Sequence, residues 1–278
     1  MSMANSSIFA QRNPHRPTLL IQNSHPNRKL FDFLICYIFL PYNNLALVSM
    51  KICCVIPAFQ ESRAIKQVVV LSQQYCSKVI VIDDGSTDNT KQIAEEAGAI
   101  VLRHSRNQGK GAALRTGFTH ALQNGYDIII TLDGDLQHNP HSIPRFITKI
   151  NQGYDIVVGS RYATRSEEMP FIRKLSNLIT TQALRVFFKI PVTDSQSGYR
   201  AFRKRVLEVI QVRDDGFAAE TEILIDAQRA GFEIAEVPIA TNYGDEESKI
   251  RASRDITRWL LTLSRNLIPQ TRLVRQSE

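Results

Sequence analysis

The chain has 278 residues, 43% of them hydrophobic and 22% charged, which suits one large α/β domain or two small ones. Its formal charge is +7, but Arg12, Arg16, Arg28 and Lys29 against Asp32 place +3 of that before residue 50 and leave a modest +4 for the rest. No dense Lys/Arg tract with interleaved aromatics precedes the C-terminal stretch, which excludes a nucleic-acid binder, and no run reaches the ~20 apolar residues of a membrane helix.

Residues 1–49 do not resemble the remainder. They are rich in Asn, Ser, Pro and His, with one short apolar patch from Leu30 to Leu40 that contains Asp32. Phe33 to Leu40 makes a poor signal peptide, because a long basic stretch precedes it and no small-x-small cleavage site follows. Met50 stands directly before the first good strand, so the chain is expected to begin naturally there, with residues 1–49 unstructured or not made. Cys36, Cys53, Cys54 and Cys76 lack metal-ligand spacing and read as reduced core residues, which implies a cytoplasmic protein.

From Lys51 strands and helices alternate. Strands are expected at 52–56, 78–82, 100–102, 127–132, 155–159 and 233–238. Helices are expected at 63–75, 88–97, 110–123, 140–151, 171–189, 218–230 and 253–268. Gly98 and Gly125 stop the second and third helices, and Pro140 starts the fourth. Such alternation builds βαβ units and a mostly parallel sheet. Neither repeats nor low-complexity linkers interrupt it, so one domain over 50–268 is expected, followed by a tail at 269–278.

The run Ile128-Ile129-Ile130-Thr131-Leu132 reads as a strand buried on both faces, and it ends in Asp133-Gly134-Asp135-Leu136-Gln137-His138. In an extended backbone Asp133, Asp135 and Gln137 share one parity and can converge on a single cation. Two carboxylates and a neutral oxygen suit Mg2+ or Mn2+, which complete their shells with water and phosphate oxygens. A calcium loop of the EF-hand type fails, because its twelfth position is Pro144 and not Glu.

Other strand-end loops share that edge. Glu61 and Asp84 offer acceptors for ribose hydroxyls and base N–H groups, although Asp83-Asp84-Gly85-Ser86 could also be a capped turn. Gly109-Lys110-Gly111 opens a helix, whose free N–H groups and dipole favour phosphate. The stretch from Asp194 to Arg200 contains a Gly turn that could precede a helix.

Taken together, Pro57 to Glu61, Asp83 to Ser86, Asn107 to Gly111, Asp133 to His138, Gly159-Ser160-Arg161, Asp194 to Arg200 and Ser248-Lys249 resemble the family 2 glycosyltransferases. The likeness is to the dolichyl-phosphate mannosyltransferase and polyprenyl-phosphate glycosyltransferase branch. It implies a Rossmann-like GT-A nucleotide-diphospho-sugar transferase fold with a mostly parallel central sheet. It also implies that Pro57, Phe59, Glu61, Ile82 and Asp84 hold the nucleoside of a GDP-mannose or UDP-hexose donor. Lys110, Gly134 and Arg161 would complete the donor site, and Asp133, Asp135 and Gln137 would hold Mg2+ or Mn2+. Asp135 and Arg161 would be catalytic, and Ser197, Arg200 and Lys249 would meet a polyprenyl phosphate acceptor. One departure is visible: many polyprenyl members carry an Arg before Ser-Lys, where this chain reads Asn242-Tyr243-Gly244-Asp245-Glu246-Glu247.

The implied reaction is inverting transfer to an acceptor phosphate that is already ionised near neutral pH, so no base is required. Were the acceptor a sugar hydroxyl of an envelope polysaccharide or glycolipid, Glu220 or Glu222 would be the candidate base, although a solvated helix position also fits Glu222. A silent nucleotide-sugar binding protein would be expected to have lost the Asp pair or Arg161, and both are present. In the last helix Arg251, Arg254, Arg258 and Arg265 form a stripe opposite Ile256, Trp259, Leu260, Leu263 and Leu267. That face could pack on the domain or bring the protein to the cytoplasmic surface of a membrane.

Overall fold

The computed structural model describes residues 50–162 and 171–241, together with Thr262, Ser264 and Asn266, which are helical. The 1–49 extension, the tail, Ser248-Lys249 and the arginine stripe of the last helix lie outside the described residues.

Seven strands form one sheet: β1 (Ile52–Ala58), β2 (Lys78–Asp83), β3 (Ile100–Arg103), β4 (Ile128–Thr131), β5 (Ile156–Ser160), β6 (Arg200–Arg203) and β7 (Ile234–Pro238). Their spatial order is β3-β2-β1-β4-β6-β5-β7. Every pair is parallel except those of β6, which runs antiparallel to β4 and to β5. The helices are α1 (Ile65–Ser72), α2 (Thr90–Glu96), α3 (Lys110–Gln123), α4 (Ile143–Asn151), α5 (Phe171–Phe188), the single turn α6 (Lys204–Leu207) and α7 (Ala218–Arg229). A short 3-10 turn, Pro140–Ser142, leads into α4, and Asn139 caps it by accepting from the His141 N–H.

Both sheet faces are covered, as the unbroken apolar strands require. Successive strand residues serve opposite cores: Cys53 and Val55 join Phe118, Phe202 and Leu224 on one side, while Cys54 and Ile56 join Val68, Phe146 and Tyr199 on the other. Cys53, Cys54 and Cys76 are buried and free. Among the described residues no helix is long and apolar enough to cross a membrane.

The expected elements are present with ends shifted by a few residues, apart from the last helix. β6 is an addition. No strand was expected after Gly198, where the turn could have preceded a helix, yet Arg200–Arg203 makes a strand that fills the gap between β4 and β5. Four residues with Arg at both ends carry no readable period, and the strand exists because two distant neighbours offer it pairing partners.

The close seating of α3 on the sheet yields a test in which two effects oppose. In a helix interior Gly→Ala should stabilise by ~1 kcal/mol through propensity. At Gly117, however, a methyl group would press against Cγ1 of the fully buried Val55 and lie 3.4 Å from Ile82 Cγ1. Overpacking costs about 1–3 kcal/mol, so Gly117→Ala is expected to lower the urea midpoint. A raised midpoint would show that α3 moves away from β1 at little cost.

Candidate functional site

Strand order reverses between β1 and β4, and in open α/β sheets the crevice at that switch point receives ligands. Pro57, Phe59 and Glu61 stand partly exposed beside it. A Cβ at Gly134 would lie 3.2 Å from Glu61 Cγ, so the loops after β1 and β4 touch across the crevice. The β1 loop is held by hydroxyls of the next loop, the Gln60 N–H donating to Ser86 Oγ and the Glu61 N–H to Thr90 Oγ1.

Asp84 does not face that crevice as an open acceptor. Its Oδ1 accepts from the Gln108 N–H at 2.9 Å and from His104 Nδ1 at 2.6 Å, and Oδ2 accepts from the Gly109 N–H at 2.7 Å. A carboxylate only accepts, so Nδ1 carries the ring hydrogen and Nε2 turns to Thr116 Oγ1 at 2.9 Å. Asp84 therefore shapes the Gly109 loop with three of its acceptor positions. Ile82 is likewise a core side chain with no exposure. Gly85, at φ +76°, completes a tight turn in which any side chain would run into the Arg106 backbone.

The start of α3 also differs from the expected open phosphate cradle. The Gly111 and Ala112 N–H groups donate to the Asp215 carbonyl at 2.9 and 3.3 Å. What reaches the site is the Lys110 side chain. Its Nζ lies 2.6 Å from Asp133 Oδ1 and 2.8 Å from Glu220 Oε1, with 15% of the side chain exposed. Burial alone would lower the pKa of this ammonium, but the fields of Asp133 and then Glu220 outweigh it and hold it above the ordinary lysine value. For Asp133, burial is the largest single influence and pushes upward, but Lys110, joined by His138 and Arg161, lowers the pKa overall, so the carboxylate stays ionised.

Gly198 forms the wall of this cluster. A Cβ there would stand 2.6 Å from Lys110 Nζ, 2.7 Å from Asp133 Oδ2 and 2.9 Å from Glu220 Oε1. The Gly198 carbonyl accepts from Thr131 Oγ1 at 2.8 Å. Arg200, 1% exposed, donates to the carbonyls of Ser195, Ser197 and Glu220 at 2.8, 2.8 and 2.7 Å. It is a buried clamp and does not face an acceptor, contrary to expectation. Ser197 is fully buried and its hydroxyl has no hydrogen-bond partner among the described residues. Glu222 is also buried, accepting from the Arg213 and Asp214 N–H groups and from Arg213 Nε, so neither the solvated position nor the base role fits it.

After Asp133 the backbone turns, and Leu136 takes φ +61°. The alternation that put Gln137 beside the two aspartates fails here: the Gln137 N–H instead closes a turn on Asp135 Oδ1 at 3.0 Å. His138 is buried, and desolvation, only partly offset by Asp133, lowers its pKa to about 4. It is therefore neutral at neutral pH.

Arg161, just past the end of β5, is held by the buried carboxylate of Asp194. Its Nε and Nη2 donate to Asp194 Oδ2 and Oδ1 at 2.7 and 2.8 Å, its backbone N–H adds a third bond at 3.1 Å, and Asn177 Nδ2 reaches Asp194 Oδ1 at 2.6 Å. Burial would raise the Asp194 pKa, but Arg161 lowers it below the usual carboxylate value. Sequence reasoning gave Asp194 and Asn177 no role. The available signal was an arginine at a strand end, which needs a counter-charge to be placed.

The residues fit a divalent cation of the Mg2+ type. Asp133, Asp135 and Glu220 formally carry three negative charges against one on Lys110, leaving the charge of one such ion. Among the described residues no three His, Cys, Asp or Glu side chains converge closely enough to hold a metal alone. The ion would thus draw ligands from water and phosphate oxygens, as Mg2+ and Mn2+ do.

A mostly parallel α/β sheet with an acidic, lysine-bridged switch point is the class defined so far. Residues 53–211 match the model of glycosyl transferase family 2, and the chain belongs to that family. The UDP-N-acetylglucosamine–dolichyl-phosphate N-acetylglucosaminyltransferase of Methanococcus voltae is 37% identical over 212 residues, covering 68% of this chain and 84% of that protein. The polyprenol monophosphomannose synthase of Mycolicibacterium smegmatis is 29% identical over 198 residues, covering 66% and 75%. A glucosyl-3-phosphoglycerate synthase from Mycobacterium tuberculosis, solved with Mn2+, UDP and phosphoglyceric acid, shares the fold with a TM-score of 0.65 at 22% identity over 80% of each chain.

Loss of the Arg161 counter-charge should be visible in stability. Removing one partner of a buried pair costs about 3 kcal/mol, so Asp194→Asn is expected to lower the unfolding free energy by that order at neutral pH. The folded pKa of Asp194 lies below the unfolded value of about 3.9, so its contribution is complete above that value and is lost as pH falls through the folded pKa. Urea titrations at pH 7 and pH 3 should show the wild-type advantage shrinking in acid. A pH-independent difference would mean that the loss is one of packing.

Proposed function

We propose that the protein is an inverting, metal-dependent glycosyltransferase that moves a sugar from a nucleotide-diphospho-sugar, GDP-mannose or a UDP-hexose, to a polyprenyl or dolichyl phosphate. The observation that carries the acceptor assignment is the 2.8 Å ion pair between Glu220 and Lys110. The ammonium occupies this carboxylate oxygen, whereas a hydroxyl acceptor would need a carboxylate oxygen open to it. A phosphate monoester brings an oxygen already ionised, its second pKa being about 6. The names of the Methanococcus and Mycolicibacterium relatives point to the same acceptor class.

In this reading Pro57, Phe59 and Glu61 border the nucleoside at the β1–β4 crevice, and the close approach of Gly134 to Glu61 keeps that crevice narrow. Asp133 and Asp135 hold Mg2+ or Mn2+, which when bound supplies positive charge to the departing diphosphate. Gln137 enters through its N–H bond to Asp135, which orients that carboxylate. Lys110 balances Asp133 and Glu220 and keeps the pocket from carrying unpaired carboxylates. Arg161, oriented by Asp194, receives phosphate oxygens through its planar guanidinium. The acceptor oxygen bonds to the anomeric carbon as the bond from that carbon to the diphosphate oxygen breaks, with inversion. Ser197 and Lys249 stay on the acceptor side of the proposal, and Arg200 supports it only by holding the 195–197 carbonyls. We place this work at the cytoplasmic face of a membrane, with which the buried free thiols are in keeping.

The direct test is a panel of nucleotide sugars with Mg2+ or Mn2+, with and without polyprenyl phosphate. One donor should be consumed only when lipid phosphate is present, and EDTA should stop the reaction. Asp135→Asn should lower kcat by ~10²-fold or more, the scale of losing one electrostatic contact to developing charge, with an unchanged melting curve. Transfer to a sugar hydroxyl in place of the lipid phosphate would overturn the acceptor assignment, and an Asp135→Asn variant with half the activity would overturn the role of that carboxylate.

A further inference from the structure

Helix α5 has its polarity reversed over its middle turns. There the side that faces the domain is polar, Asn177, Thr180 and Thr181 being 1%, 3% and 3% exposed, and only further on do Leu184 and Phe188 join the core. The three polar residues bond to the loop that begins at Asp194: Asn177 Nδ2 donates to Asp194, Thr181 Oγ1 meets Ser195 Oγ at 2.9 Å, and Gln196 Nε2 donates to Thr180 Oγ1 at 3.1 Å. The outward side is apolar. Leu175, Leu178, Ile179 and Val186 are 46%, 54%, 55% and 69% exposed. With the exposed Gln182 they recur at helical spacing and form one stripe. A surface helix of a water-soluble domain has the opposite arrangement, and a contiguous exposed apolar stripe marks a contact surface.

Charge identifies the partner. α5 contains no Asp or Glu, and Lys174, Arg185 and, just past its end, Lys189 are exposed around the stripe. A second copy seated on the same face by two-fold symmetry would set these cations against one another. An anionic bilayer surface satisfies both the apolar stripe and its cationic border. The helix is ~27 Å long at 1.5 Å per residue and does not meet the hydropathy of a span, so it would lie along the surface.

We propose that α5 rests on an anionic membrane surface, burying Leu175, Leu178, Ile179 and Val186 among the acyl chains with Lys174, Arg185 and Lys189 at the headgroups. Asn177, within one turn of Leu175 and Leu178, bonds to the carboxylate that holds Arg161, so the same helix seats the Arg161 end of the site at the lipid. That last clause rests on the lipid-phosphate reading; the membrane contact itself does not.

The test uses the full chain with vesicles of phosphatidylcholine alone and of phosphatidylcholine mixed equally with phosphatidylglycerol. Wild type should co-sediment with the anionic vesicles, less so in high salt. A Leu178→Ser, Ile179→Ser, Val186→Ser variant should partition at least about tenfold more weakly, with unchanged circular dichroism and unchanged transfer to a short water-soluble prenyl phosphate. Separately, Leu178→Trp should give a blue-shifted emission component with anionic vesicles above that of native Trp259, and this single change decides the matter if the triple variant misfolds. Undiminished binding of a folded triple variant, equal binding of wild type to neutral vesicles, absence of vesicle binding, or self-association that the triple variant abolishes would each overturn the proposal. If vesicle binding behaves as expected while no prenyl phosphate is glycosylated, the acceptor reading fails and the membrane face stands.

Discussion

The Lys110 ammonium between Asp133 and Glu220 is the contact on which the rest of the site depends. Two carboxylates, 2.6 and 2.8 Å from one nitrogen, would repel each other strongly in a largely buried pocket without it. Four segments must converge to make the contact: the start of α3, the end of β4, the loop containing Gly198 and the first turn of α7. Gly198 is the condition for that convergence, since even a methyl group would displace all three charged groups at once. Arg200 supplies the other condition by tying the carbonyls of the Gly198 loop to that of Glu220.

Much of this architecture is written in local pattern. The apolar run ending at Asp133, the Gly-flanked Lys110 and the strand ending at Arg161 each announce a strand-end loop, and parallel topology then brings those loops to one edge. Residue type does not announce which partner each polar group will find. Asp84 looked like an acceptor for ligand because its donors, His104 and two backbone N–H groups, lie about twenty residues downstream. The α3 N–H groups looked open because the Asp215 carbonyl that takes two of them is distant in sequence. Arg200 was expected to meet an acceptor phosphate, and only the folded chain assembles three carbonyls around it. Strand parity does not extend past Asp135, because the chain there enters a turn with Leu136 in the left-handed region.

Arg161 shows how a charge is placed by layers of partners. The Asp194 carboxylate meets it with fork geometry, Asn177 bonds to Asp194, and Glu236 accepts from the Thr193 and Asp194 N–H groups at 2.8 and 3.1 Å. Each layer removes rotamer freedom from the one above, so an incoming anion would meet a guanidinium already oriented. The same bonds attach α5 to the loop, which links the exposed face of that helix to the position of Arg161.

The antiparallel strand β6 makes this geometry possible. Had it run parallel to β4 and β5, its entry loop would open at the opposite edge of the sheet, away from Asp133 and Arg161. Running antiparallel, it pairs Arg200 with Thr131 of β4 and with Val158 of β5, so residues 194–199 enter where those strands end. Its insertion also sets β4 and β5 two strand spacings apart, about 10 Å. The aspartates that end β4 and the arginine that follows β5 are thereby separated by a gap, and Gly198 and Ser197 line the chain between them. The proposed reaction, with two phosphate-bearing groups flanking one reacting carbon, calls for a separation of that order. A four-residue strand with no readable pattern of its own thus sets the spacing between the two charged ends of the site.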